Sequence, residues 1–152
     1  MGPSPSDRGK SGTKRHQMVD RRGLPLAVTL SGANVHDGKK LLETVDAVGP
    51  VSGKRGRPRR RPAKLHADKA YDDGALRQQL RRRGITPRIA RRGIESSVRL
   101  GRYRWVVERT ISWQQGFRRL RVRDEKRDDI HEALVHLANA MICWGRLNGH
   151  FC

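Results

Sequence analysis

From Pro50 to Pro62 the chain carries Lys54, Arg55, Arg57, Arg59, Arg60 and Arg61 without one acid, punctuated by Gly53, Gly56, Pro58 and Pro62. No helix or strand runs through such a stretch. Each proline removes a backbone donor, and the like charges have nothing apolar to bury. The segment reads as a mobile basic loop, residues 50–63, serving as a solvated linker, a phosphate-gripping arm, or both. It separates two regions whose patterns differ.

Ahead of it, Thr13–Val19 and Leu24–Leu30 read as two strands around the turn Asp20-Arg21-Arg22-Gly23, the second arm being apolar and β-branched. Ser31–Asp37 reads as a loop. Asp37 reads as the N-cap of a helix through Val48, with Leu41, Leu42, Val45 and Val48 at helical spacing. Behind the loop, Lys64–Asp68 is a short strand that ends in a carboxylate. A helix over Asp73–Arg83 closes at Gly84, and Ile85–Ala90 is another short strand. Arg91–Leu100 reads as a polar loop.

The spacing then predicts a helix over Arg102–Gly116, with Val106, Thr110, Trp113 and Phe117 along one side. A last helix over Asp129–Leu147 has Asp129 as N-cap and Glu132 completing something close to a capping box. Ile130, Leu134, Leu137, Met141 and Trp144 make its expected buried stripe, packing on core or partner. The order of elements predicts an α/β layer, an antiparallel hairpin followed by crossover units. Residues 1–12 read as a disordered or loop N-terminus, 13–147 as the folded unit, and 148–152 as a tail.

Charge narrows the function classes. Thirty-four bases face 15 acids, for a net charge of +19 and a pI near 11.5. So large an imbalance points to a polyanionic partner, nucleic acid first, because each phosphate contact releases condensed counterions. Arg outnumbers Lys 26 to 8, and GC-rich coding inflates Arg, so part of the excess is compositional. Cys143 and Cys152 have no paired spacing for zinc or a disulfide framework, and His131 and His136 read as helix surface. No apolar run approaches transmembrane length, and no signal-peptide core opens the chain. A cytoplasmic location is the expectation.

Acids are scarce enough that each one in a basic setting raises a question. Asp68 ends a strand, where α/β sheets present side chains to a ligand crevice. Glu108 lies about 200° around its helix from Val106, away from the apolar side. Two converging carboxylates suit hard divalent cations, which take oxygen ligands. The plain alternatives are a turn-forming Asp68 and a Glu108 that pairs with Arg104 one helical turn before it.

The string Ala-Asp-Lys-Ala-Tyr-Asp (67–72) and the later Arg-Tyr-Arg-Trp-Val-Val-Glu-Arg-Thr (102–110) resemble the DDE class of bacterial insertion-sequence transposases. Phe-Arg-Arg-Leu-Arg-Val-Arg (117–123) and Lys14–Asp37, with its Asn-Val-His-Asp loop, resemble the same family. The resemblance covers about residues 9–145, with motifs in the family's order. It implies a ribonuclease-H-like mixed sheet with flanking helices, and residues 13–147 as a partial catalytic domain. It also implies that Asp68 and Glu108 are the second and third of three catalytic carboxylates. In that family these bind Mg²⁺ or Mn²⁺ and perform strand cleavage and transfer at element ends.

Arg104 matches a signature DNA contact. With it, Arg109, Arg118, Arg119, Arg121, Lys54, Arg55, Arg57, Arg59, Arg60 and Arg61 form the expected DNA-binding set. The first carboxylate and its strand have no counterpart, since Asp7 falls in a Gly/Pro/Ser loop and Asp20 in a turn. The expectation is therefore a C-terminal portion of a transposase, inactive alone, with its sheet gapped and its metal poorly held. Expected partners are DNA at transposon ends and target, an upstream-encoded transposase segment, and further copies of the chain. A nucleoid-associated location follows. The competing classes are a non-catalytic basic nucleic-acid-binding protein and a small ribosome-associated or structural protein.

Overall fold

A computed structural model describes residues 1–4, 8–53, 55–91, 93 and 97–149, with the side chains of 97–104 outside that description. The order is β1 (Gly2–Pro3), β2 (Ser11–Val19), β3 (Pro25–Gly32), α1 (Gly38–Asp46), β4 (Lys64–Ala67), a 3₁₀ turn (Lys69–Tyr71), α2 (Gly74–Arg82), β5 (Thr86–Ile89), α3 (Ser97–Gly116), α4 (Arg118–Arg121) and α5 (Asp128–Leu147). This is the mixed α/β plan expected, in two small sheets. One has the order β1-β2-β3, and the other is the parallel pair β4-β5.

The hairpin forms because its turn is chemically specified. Asp20 Oδ1 accepts from the backbone N–H groups of Arg22 and Leu24, each at 2.8 Å, and Gly23 takes φ +83°. Side-chain carbonyl mimicry and a left-handed glycine together close the loop. Met18 then pairs with Ala27 and Gln17 with Val28. Alternation sends Met18 and Ala27 to one face and Gln17 and Val28 to the other.

The first face joins one core with Leu41 and Val45 of α1, Leu65 of β4, Leu76 and Leu80 of α2, Ile85 and Ile89. Both sheets therefore share this core although no ladder joins them among the described residues. The other face packs Val28 against Leu120, Val135 and Ala138. Gln17, Gln114 and Asn139 join the same side through their side-chain amides, from β2, α3 and α5.

Several local expectations change. Residues 1–12 are not all loop, because Gly2 and Pro3 pair with Gly12 and Ser11 at the start of β2. Asp37 is the N-cap residue of α1 as expected but makes no side-chain capping hydrogen bond; Lys14 Nζ holds its carboxylate at 3.0 Å instead. The basic loop is clasped by a bridge in which Val51 and Arg59 exchange both backbone hydrogen bonds. α3 begins at Ser97, inside the stretch read as a loop. Arg127 is the N-cap of α5 without side-chain capping, and Asp129 pairs with Arg127 rather than completing a capping box. His131 is buried rather than on the helix surface. Asp73 caps α2, accepting from Ala75 and Leu76, and Gly84 follows with positive φ.

The largest change concerns α5. Its buried line is His131, Val135, Ala138, Asn139, Ile142 and Gly145, whereas Ile130, Leu137, Met141 and Trp144 are exposed and Leu134 is half-buried. Two adjoining lines of this helix are apolar, so hydrophobicity alone does not choose between them. Shape chooses: Ala138 and Gly145 let the helix approach closely, and Asn139 reaches the amide cluster.

Candidate carboxylate site and basic surface

Asp68 follows the last residue of β4, at the C-terminal end of the parallel pair, where Ala67 pairs with Ile89. The chain turns at once into the 3₁₀ segment, and Asp68 Oδ1 accepts from Lys69 N at 2.6 Å. A parallel pair opens a crevice at this end, so the position suits a ligand-facing carboxylate. Glu108 is exposed on α3, which lies against both β2 and β4. The two sequence-matched carboxylates are thus carried by elements that touch.

α3 is fixed to the hairpin tip. Thr110 Oγ1 donates to Gly23 O at 2.7 Å, and Arg109 Nη2 donates to Arg22 O at 2.6 Å. The Arg109 guanidinium lies over both Trp105 and Trp113, at 4.4 and 4.9 Å from the ring centroids. Arg109, expected on DNA, therefore spends these interactions on the protein itself. Glu108, its neighbour in sequence, gains a fixed position from them. The side chain of Arg104 lies outside the described residues.

The structure brings one acid into the neighbourhood that residue-by-residue reading treated only as a cap. The pKa of the half-buried Tyr71 hydroxyl is pushed up to about 12, first by desolvation and then by the charges of Asp37 and Asp68. Both carboxylates thus act on one phenol, and α1 touches the 3₁₀ turn. The Asn-Val-His-Asp loop was the sequence signal for Asp37. Among the described residues, no group of three or more His, Cys, Asp or Glu side chains is arranged to hold a metal ion. Asp68 and Glu108 have the oxygen donors that Mg²⁺ takes, but the set is short of a closed site.

The basic residues fall in two places. Arg55, Arg57, Arg59, Arg60 and Arg61 are exposed, and Lys54 lies outside the described residues. A cleft of about 790 Å³ opens between this loop and the ends of α1 and α2, lined by Arg57, Arg59, Arg60, Arg61 and Arg83. Asp46 also lines it and is paired with Arg83 at 2.7 Å. Arg61 is braced on Arg83 O at 2.7 Å. The cleft lies where β4 and β5 begin, the end opposite Asp68, about 13 Å away by strand rise. The second place is α4, where Arg118, Arg119 and Arg121 are exposed and Arg119 pairs with Glu125 at 2.8 Å.

No helix among the described residues is long and apolar enough to cross a membrane. No solved structure matches the chain significantly. The family model described as "Transposase DDE domain" matches residues 2–143. A protein of Burkholderia cepacia named as transposase for insertion sequence element IS402 is 50% identical over 146 residues, 96% of this chain and 69% of that protein. With a family match over nearly its whole length and a relative half identical to it, the chain belongs to the DDE transposase family.

Proposed function

We propose that these 152 residues are the C-terminal portion of a transposase catalytic domain, ribonuclease-H-like in plan, in which Asp68 and Glu108 are two of three metal-holding carboxylates. The observation that carries the reading is the packing of α3 on β4, which puts the two signature acids on neighbouring elements. The sheet arrangement supports it. Among the described residues, β2 is paired beyond β3 only by Gly2–Pro3, and β4 is paired only by β5. A strand seated between β2 and β4 would join the two sheets and could bring the missing carboxylate. Such a strand fits the upstream-encoded transposase segment expected as a partner.

A divalent ion, Mg²⁺ or Mn²⁺, would polarise the scissile phosphate when the carboxylate set is complete. What this chain supplies itself is grip and placement. The guanidiniums of the cleft neutralise phosphates, and the hairpin tip fixes the helix that carries Glu108. The 152 residues alone therefore bind DNA, both element ends and target, without cutting it. A cytoplasmic, nucleoid-associated location accords with that role.

The test is purified chain with DNA bearing element ends, with and without Mg²⁺. Binding without nicking is expected. Mg²⁺-dependent nicking that disappears in Asp68→Ala would overturn the incomplete-site reading. Loss of all DNA binding would overturn both this and the alternative, a non-catalytic nucleic-acid-binding protein, which the basic cleft also favours. The alternative separates from the first reading when an upstream segment carrying an Asp-bearing strand is added. Only a transposase portion gains cleavage then.

A further inference from the structure

Glu125, in the segment between α4 and α5, is an acid folded inward, its side chain only 4% exposed. One carboxylate oxygen, Oε1, accepts from Arg119 Nε at 2.9 Å and from Arg119 Nη2 at 2.8 Å. The other, Oε2, is sealed from solvent and has no hydrogen-bond partner among the described residues. His131, in the first turn of α5, is buried as deeply, and its Nδ1 stands 3.9 Å from the acid, likewise without a hydrogen bond. A buried acceptor and a buried ring nitrogen that face each other unbonded carry a desolvation cost, and one added proton relieves it.

The surroundings say why that proton is absent. Burial first, then the charges of Arg123 and of Arg15 on β2, hold the imidazole neutral against the pull of Glu125 and Asp128. Asp128 is itself taken by Arg123 at 2.5 Å and by the Met1 amine at 2.8 Å. Arg121 of α4, Asp124 and Lys126 line the same pocket of about 270 Å³ as the ring. Glu125 is the nearest acid, and Arg119 offsets its charge.

Arg119 ties this buried pair to the outside. Its side chain is 67% exposed, on the basic helix α4 beside the exposed Arg118 and Arg121. A phosphate at α4 competes with Glu125 for the guanidinium, and the buried acid cannot follow it out. We propose that Glu125 relays DNA contact into the core: as Arg119 turns to a phosphate, His131 takes a proton from solvent at Nδ1 and replaces it as the partner of Glu125. This rests on α4 meeting DNA. The DNA-bound chain then holds more protons at this ring than the free chain does. Affinity therefore rises as pH falls from the bound-state pKa of His131 toward its lower free-state pKa, and levels off below that.

Histidine ring NMR of the chain, with and without a random-sequence DNA duplex, tests this, the His131 signal being assigned through His131→Gln. In the free chain Arg119→Gln moves the His131 titration midpoint upward, because Glu125 has lost its cation, whereas Arg119→Lys leaves it near the parent's. Adding DNA moves the parent's midpoint the same way. Calorimetry in buffers of different ionisation heat then reads an uptake of about half a proton or more per DNA bound, equivalent to about threefold in affinity per pH unit. Glu125→Gln, of the same shape without the charge, removes the DNA-induced shift. A midpoint that stays put in Arg119→Gln overturns the relay whether or not DNA binds. A DNA-induced shift that survives in Glu125→Gln overturns it too, since the phosphate would then act on the ring directly. A chain that binds no DNA overturns the coupling together with the reading it rests on, a failure recognisable because Arg119→Gln still moves the midpoint.

Discussion

The side-chain amide of Gln114 donates to Asn139 Oδ1 at 2.6 Å and to Gln17 Oε1 at 2.8 Å, joining three elements where almost no solvent reaches. Gln114→Leu keeps the volume but leaves the buried Asn139 Oδ1 without its donor and the half-buried Gln17 Oε1 with only the long bond from Asn139 Nδ2 at 3.5 Å. The expected cost is about 2–4 kcal/mol of stability, since an orphaned buried polar group loses its full desolvation penalty. Urea midpoints of the two proteins, at equal slope, measure it. A loss below about 0.5 kcal/mol would mean that water replaces the amide without penalty.

Thr110 is fully buried, and its hydroxyl reaches both Gly23 O at 2.7 Å and Val106 O at 3.1 Å. Thr110→Val preserves the shape and removes the donor, for an expected loss of about 1–3 kcal/mol. Gly23→Ala attacks the same junction from the other side. Its φ is +83°, and an added Cβ would stand 3.0 Å from Arg109 Nη2 and 3.1 Å from Thr110 Oγ1. Protease nicking in the 20–24 turn should accelerate in both variants. Unchanged nicking in both would argue that the tip is not what holds α3.

Burial lowers the pKa of His131 and of His16 below the usual imidazole value. A base whose folded pKa is depressed binds fewer protons folded than unfolded. Stability is therefore retained above the unfolded value near 6.5 and declines as pH falls below it, until the folded pKa is passed. Urea midpoints should drop between about pH 7.5 and about pH 5.5, and His131→Leu should flatten that slope. A midpoint that rises on acidification would contradict the assignment.

DNA affinity should fall steeply with salt, and the cleft arginines should carry part of that slope. Replacing Arg57, Arg59 and Arg60 with Ser lowers the slope of log affinity against log salt by about 0.9 for each phosphate left unneutralised. These side chains are exposed, so thermal stability should stay within about 0.5 kcal/mol of the parent. A slope identical to the parent's would place the DNA elsewhere, with α4 as the next surface to test.

Local chemistry was legible where one residue type had one good use. The Asp20–Gly23 turn, the Asp73 cap and Gly84 after α2 all follow from side chains next to the backbone groups they satisfy. The strand end at Asp68 and the outward side of Glu108 were also readable, because period and position fix them. What failed depends on distant partners. Asp37 takes the N-cap position, but its carboxylate goes to Lys14, 23 residues away, and not to the helix. The apolar row on α5 looks like core until Ala138, Asn139 and Gly145 offer a closer fit.

The amide cluster also sets a clock. Gln17 and Asn139 are 122 residues apart, so the hairpin's polar face cannot be closed until nearly the whole chain has been made. At a synthesis rate of about 5–20 residues per second, the hairpin waits roughly 6–24 s for its last partner. During that interval the side chains on the face around Gln17 and Val28 stand open, beside a ribosome rich in phosphate. A nascent chain that is stopped before α5 would leave them open for good, and a co-translational chaperone would meet it there first.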